Sequence, residues 1–186
     1  MVLKKRNEIR RIIYKLGPNF LKKIKNANKI ADIGCANGEL LNLLHTEFRK
    51  PKENLYGFDV SKKFIAEARK SFNHIYHWDF NHKKEWPQKF DVIFALDVIE
   101  HLENSQNFLK NIASLMKKDS LLALSTPNIN SLSHFIQRSQ WFGFKDKTHK
   151  RFYCRASLFS LLKQEGLEIK KYKTISSTGY SSYNWT

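Results

Sequence analysis

Six apolar runs of strand length alternate with segments of helical period, and that alternation constrains the fold more than any other feature of this 186-residue chain. "KIADI" (29–33), "NLYGFD" (54–59), "HIYHW" (74–78), "FDVIFAL" (90–96), "LLALSTP" (121–127) and "LEIKKYK" (167–173) read as strands. Between them "ELLNLLHTEF", "KKFIAEARKSF" behind the N-cap residue Ser61, "NFLKNIASLM" and "ASLFSLLKQEG", closed by Gly166, read as helices. A strand that must reach a parallel neighbour needs a crossover helix, so this order predicts a doubly wound α/β fold. Its sheet is mostly parallel, with helices on both faces. Residues 128–155 fit neither pattern and form an insertion rich in Ser, aromatics and His.

Ahead of the first strand, residues 1–28 predict two helices broken at Gly17-Pro18. Residues 1–29 carry ten Lys or Arg against the single acid Glu8, while Ile9, Ile12, Ile13 and Leu16 recur at helical spacing. The expected arrangement lays this apolar stripe on the body of the protein and leaves the lysines in water. The net charge of +16 has two readings. One is a phosphate-rich partner, since Lys and Arg displace counterions from nucleic acid. The other is compositional bias, because 25 of the 33 basic residues are Lys and they are spread along the chain. An apolar fraction of 41% fits a globular protein, and no run reaches the roughly 18 apolar residues of a membrane span. Cys35 and Cys154 lie far apart in no metal or redox spacing, so a cytoplasmic protein with reduced thiols is expected.

In open α/β sheets ligands bind beyond the carboxyl ends of the strands. The first such end is "ADIGCANGEL", where Gly34 and Gly38 suit a sharp turn with a close backbone approach. It lacks the G-x-G-x-x-G that a dinucleotide pyrophosphate requires, which argues against a nicotinamide cofactor. Acids close the first three strands: Asp32, Asp59 (21 residues after Gly38) and Asp79, which Phe80 follows.

With "DIGCANG", "GFDVS", "WDF", "FDVIFALDVIEHL" and "LLALSTPN" in this order, the chain resembles the class I S-adenosylmethionine-dependent methyltransferases over residues 28–172. The resemblance implies their Rossmann-like fold, a methyltransferase domain over 29–186, and S-adenosylmethionine as cofactor. Asp32, Gly34, Cys35, Ala36 and Gly38 would form the cofactor turn. Asp59 and Val60 would meet the ribose, Asp79 and Phe80 the adenine, and Leu96 the adenosyl moiety. Ala36 departs from the family, which usually has Gly there; Ala still allows close approach if its φ stays negative, so tighter packing against the ligand rather than lost binding is expected. The family closes with a seventh strand antiparallel to the sixth, and only "TISSTGYSSYNWT" remains to make it, so that strand is expected to be incomplete.

The fourth strand end, "LDVIEHLEN", carries Asp97, Glu100 and His101 at spacings that share one face of a helical turn. The insertion adds His149 in "WFGFKDKTHKRFY". Ubiquinone-biosynthesis O-methyltransferases have a similar acid-x-x-Glu-His element followed by a Thr-His in the same region, and the small-RNA 3′-end methyltransferases have a similar quartet; in both groups it is associated with a divalent metal. By this resemblance Glu100, His101 and His149 are catalytic candidates, and Asp97, Glu100, His101 and His149 are candidate ligands for Mg²⁺. The alternative is a metal-free cleft with His149 as general base or lid contact. The expected activity is O-methylation of a small-molecule acceptor, with metal-assisted 2′-O methylation of RNA as the alternative. The latter is disfavoured because no dense basic-aromatic patch lies outside residues 1–29. Phe135, Trp141, Phe142 and Phe144 suit an aromatic or lipid-like acceptor or, equally, the core of a lid. The acceptor's identity and the oligomeric state are not encoded in any motif.

Overall fold

The computed structural model describes residues 2–174. Two helices come first, α1 (Val2–Lys15) and α2 (Pro18–Asn26). β1 (Ile30–Ile33), α3 (Glu39–Phe48), β2 (Leu55–Asp59), α4 (Lys62–Ala68), β3 (His74–His77) and β4 (Phe90–Leu96) follow. The remainder is α5 (Ser105–Leu115), β5 (Met116–Ser125), α6 (Leu132–Gln137), α7 (Phe142–Lys145) and α8 (Arg155–Gln164). The five strands form one parallel sheet in the order β3-β2-β1-β4-β5, flanked by helices. β1 pairs with β2 from Ile30 opposite Leu55 to Ile33 opposite Phe58, and β2 with β3 from Tyr56 opposite His74 to Asp59 opposite His77. Strand β1 is buried along its whole length, as a central parallel strand covered on both faces must be.

The chain divides into two compact units. The first takes the chain up to Asp79 together with Trp86–Phe94 and Leu115–Ala123; the second takes Phe80–Glu85, Ala95–Ser114 and the chain from Leu124 onward. In the first unit, α1 buries Ile12, Ile13 and Leu16 and packs on α3, where Arg10 meets Glu47 at 3.1 Å and Tyr14 lies against Phe48. Lys50, buried after α3, donates from Nζ to the carbonyls of Lys25 (2.6 Å) and Ala27 (2.7 Å). It thereby supplies a cation and hydrogen bonds to the otherwise orphaned carbonyl end of α2. The apolar stripe of the basic segment thus faces protein.

Three elements differ from the sequence reading. β5 begins at Met116, directly after α5, although Lys117, Lys118 and Asp119 are exposed and no apolar alternation announces it. The insertion folds its own short helices, α6 and α7. "LEIKKYK" is not a strand; it runs as irregular chain after the turn at Glu165–Gly166, because no described strand offers it a ladder. The residues expected to begin a seventh strand lie largely outside the described ones.

Candidate functional site

The turn after β1 belongs to the first unit and is built from backbone. Gly34 and Cys35 donate their N–H groups to the Phe58 carbonyl (2.7 and 3.0 Å), and Gly38 N–H closes the turn on the Cys35 carbonyl at 2.8 Å. Gly34 (φ 74), Ala36 (φ 46) and Gly38 (φ 87) all take positive φ. The condition set on Ala36, a negative φ, is therefore not met, and its Cβ bears the cost of a left-handed conformation. Asp59 explains why the turn holds. Its Oδ2 accepts from Ala36 N–H at 2.9 Å and its Oδ1 from Ser61 N–H at 2.8 Å, so the acid at the end of β2 ties the turn to the start of α4. Each oxygen keeps lone-pair capacity beyond its backbone bond, and the side chain is half-buried.

The neighbouring expected residues are less uniform. Asp32 and Cys35 are buried; burial raises the Cys35 thiol far above its ordinary range, with the charges of Asp32 and Asp59 adding to the rise. Val60 is exposed and Asp79 half-buried. In the second unit Phe80 is 4% exposed and packs edge-on against Phe108, which makes it core, while Leu96 ends β4 half-buried.

A different construction follows β4. Asp97 takes φ 55, and its N–H donates to both the carbonyl and the hydroxyl of Ser125 (3.1 Å each). The Ser125 hydroxyl donates back to Asp97 Oδ1 at 2.9 Å. This clasp explains why Asp97 stands apart from the group it was expected to join. The next turn, Ile99–His101, buries Glu100 to 1% exposure with neither carboxyl oxygen hydrogen-bonded, beside an equally unpartnered Thr126 hydroxyl. Burial pushes the Glu100 carboxyl well above the ordinary carboxylate range, and the Asp97 charge pushes the same way. Its own amide and the nearby Thr126 hydroxyl, short of hydrogen-bond geometry, oppose this weakly.

The Glu100 carbonyl also captures the insertion. It accepts from Lys150 N–H (2.7 Å) and Arg151 N–H (3.0 Å), which returns His149 to the fourth strand end across 48 residues. The His101 and His149 ring centroids lie 4.8 Å apart, and Glu100, His101 and His149 each offer a ligand atom within 4.8 Å of the others.

The Thr of the Thr-His element, together with Asp146, which no motif singles out, fixes one imidazole. The Thr148 hydroxyl donates to Asp146 Oδ1 (2.6 Å) and so accepts from His101 Nδ1–H at 2.8 Å. His149 Nδ1 likewise meets the Gly143 carbonyl at 2.7 Å, an acceptor that requires N–H on that nitrogen. With one proton on each ring, Nε2 is the lone-pair atom, the arrangement that outer hydrogen bonds impose on metal-binding histidines; His149 Nε2 also lies 3.7 Å from Asp146 Oδ2. Burial and the neighbouring His149 hold the His101 pKa below its usual value, which disfavours the charged ring. Thr148 lowers the Asp146 carboxyl through its side-chain and backbone hydrogen bonds. The spacing Asp146-x-Thr148, a side-chain turn closed by Thr148 N–H on Asp146 Oδ1 at 2.9 Å, was the local signal for this relay.

Residues 4–172 match the family model described as a methyltransferase domain, and the chain belongs to that family. Its fold is that of the class I S-adenosylmethionine-dependent methyltransferases. Trans-aconitate 2-methyltransferase of Escherichia coli O157:H7 (strain EC4115 / EHEC) is 26% identical over 155 residues, 81% of this chain and 61% of that protein. Ubiquinone biosynthesis O-methyltransferase of Pelagibacter ubique (strain HTCC1062) is 26% identical over 167 residues, 81% of this chain and 65% of that protein. The chain thus spans under two thirds of the length of these relatives. Among solved structures, magnesium protoporphyrin IX methyltransferase from Synechocystis PCC 6803 with bound SAH aligns with a TM-score of 0.73 at 20% identity, covering 98% of this chain and 82% of that one. Among the described residues no helix is long and apolar enough to cross a membrane.

Proposed function

We propose that this chain is the catalytic domain of an S-adenosylmethionine-dependent methyltransferase that methylates an oxygen nucleophile on a small molecule. The observation that carries this reading is the cluster of Glu100, His101 and His149, whose ligand atoms lie within 4.8 Å of one another around an unsatisfied buried carboxyl. S-adenosylmethionine supplies a methyl group already activated by its positive sulfur, so the protein has to orient the acceptor and remove its proton. Asp59 and the backbone of the 34–38 turn are the residues we assign to the cofactor. His101 and His149 are assigned to the acceptor oxygen: a neutral imidazole at either Nε2 accepts the hydroxyl proton as the oxygen attacks.

The orphaned Glu100 oxygens also fit a divalent cation held by Glu100, His101 and His149. A cation there would take up the Nε2 lone pairs, so it would replace the imidazoles as the means of removing the proton and would instead acidify the acceptor hydroxyl for loss to solvent. With Asp97 clasped to Ser125, two nitrogens and one carboxylate suit the borderline Zn²⁺, and even the harder Mn²⁺, which accepts imidazole more readily than Mg²⁺ does. The basic surface keeps an RNA acceptor as the second reading.

Incubating the protein with methyl-labelled S-adenosylmethionine and panels of hydroxylated small molecules and RNA tests both readings. Label in a small-molecule ether, lost with chelator and restored by Mn²⁺, is the expected result. Insensitivity to chelator removes the metal, label in RNA replaces the acceptor, and failure to bind S-adenosylmethionine defeats the reading entirely.

A further inference from the structure

Within the second unit a cavity of about 850 Å³ opens beside α6 and the start of α7. Ile129, Phe135 and Phe144 give it an apolar lining, and Asn130, His134 and Arg138 are its main polar groups. Its support is rigid. Trp141 is fully buried and packs against His134 (4.9 Å) and Phe144 (5.3 Å). The mouth, in contrast, leaves Phe135 75% and Phe144 41% exposed, large aromatic surfaces that water solvates poorly.

Arg138 is the decisive residue. Its backbone sits at φ 48, ψ −121, a conformation that glycine tolerates and a side chain strains. A guanidinium is nevertheless present there, and among the described residues none forms a hydrogen bond or ion pair with it. One lining ring, Phe144, also leads toward the histidine cluster through packed side chains. Gly143 holds His149 through its carbonyl at 2.7 Å, and Phe152 packs on both Phe144 (4.9 Å) and the His149 ring (6.1 Å).

We infer that this cavity is the acceptor-recognition subsite, and that it takes a small molecule with an apolar, ring-sized or acyl body bearing an anionic group that pairs with Arg138. The inference rests on the methyltransferase reading for the word acceptor, but the binding it asserts does not. The volume suits a ligand of roughly drug size, and an apolar lining with one cation fixes orientation as well as affinity. A planar guanidinium prefers a carboxylate or a similar oxyanion held by two parallel hydrogen bonds.

The probe for the test is 8-anilinonaphthalene-1-sulfonate, an aromatic body with one anionic group, set against its uncharged relative N-phenyl-1-naphthylamine. Fluorescence titration of the full chain should show saturable binding of the sulfonate at one site. Arg138→Gln should weaken the sulfonate about tenfold and the neutral probe less than twofold. Phe135→Ser, at an exposed position that folding does not require, should weaken both. Equal affinity of the sulfonate for wild type and R138Q overturns the inference. So does non-saturable binding, or one probe per two chains in a sedimenting dimer, which would make a second copy the occupant. Calorimetry with S-adenosylmethionine is run in parallel: its failure alone, with the probe results intact, removes the methyltransferase reading and leaves the anion-recognising cavity standing.

Discussion

The turn at 34–38 and the cluster at Glu100 are both strand-end sites, yet they solve opposite problems. In the turn the inward-facing polar groups have partners: Asp59 accepts two backbone N–H groups, and the Phe58 carbonyl accepts two more. In the cluster a carboxyl is buried with neither oxygen satisfied, and two imidazoles present lone pairs toward the same space. A satisfied site keeps its shape without help. An unsatisfied one is left with an electrostatic deficit that a proton or a cation must meet, and burial enlarges that deficit. On the function proposed above, the contrast separates a surface for holding the cofactor from one for the reaction.

The largest effect expected from this contrast is on the reacting side. His149→Ala should lower methyl transfer by about 10²–10⁴-fold, the worth of a positioned proton acceptor, while S-adenosylmethionine affinity stays within about twofold. Equal loss of turnover and cofactor binding in that variant would show that the two sites are not separable in role. On the holding side, Asp59→Ala should cost about 1–3 kcal/mol of cofactor binding, because it removes a charged acceptor from both the turn and the ligand. Calorimetry giving wild-type affinity for D59A would remove Asp59 from the cofactor site.

The third prediction concerns the electrostatic deficit itself. The folded-state pKa of Glu100 is raised, so the folded protein binds that proton more tightly than the unfolded chain does. Its contribution is complete below the unfolded value of about 4.3 and is lost as pH rises through the folded one, at up to about 1.4 kcal/mol per pH unit. Denaturant titrations of metal-free protein across pH 4 to 8 should show this fall in wild type and a flatter curve in Glu100→Gln. Parallel curves would mean that Glu100 is not the group in deficit. The smallest effect returns to the turn: Ala36→Gly should stabilise the protein by about 0.5–1 kcal/mol by relieving the positive φ, and a loss of stability would show that the Ala36 Cβ packs usefully.

How much of each site the sequence disclosed follows from how each is built. The turn was legible: "DIGCANG" names its glycines, Asp59 ends a recognisable strand, and every bond they make is to nearby backbone or to the adjacent strand. What the sequence does not disclose there is the positive φ at Ala36, since a side chain in a left-handed turn is tolerated when its neighbours fix the backbone. The cluster was half legible. Glu100, His101 and His149 stood out as residue types, but Asp97 was grouped with them on helical spacing. The chain instead makes a left-handed step at Asp97 and a single tight turn after it, which turns that carboxylate onto Ser125.

What the sequence determined by itself, then, is the order of strands and helices, the backbone turn and the acids that close the strands, because periodicity, glycine and capping act within a few residues of their cause. The tertiary structure alone decided that Glu100 is buried without a partner, that Thr148 and Asp146 set the His101 tautomer, and that Arg138 lines a cavity. The physical reason is distance along the chain: one carbonyl, that of Glu100, accepts the N–H groups of Lys150 and Arg151 about fifty residues later, and no local propensity encodes that closure.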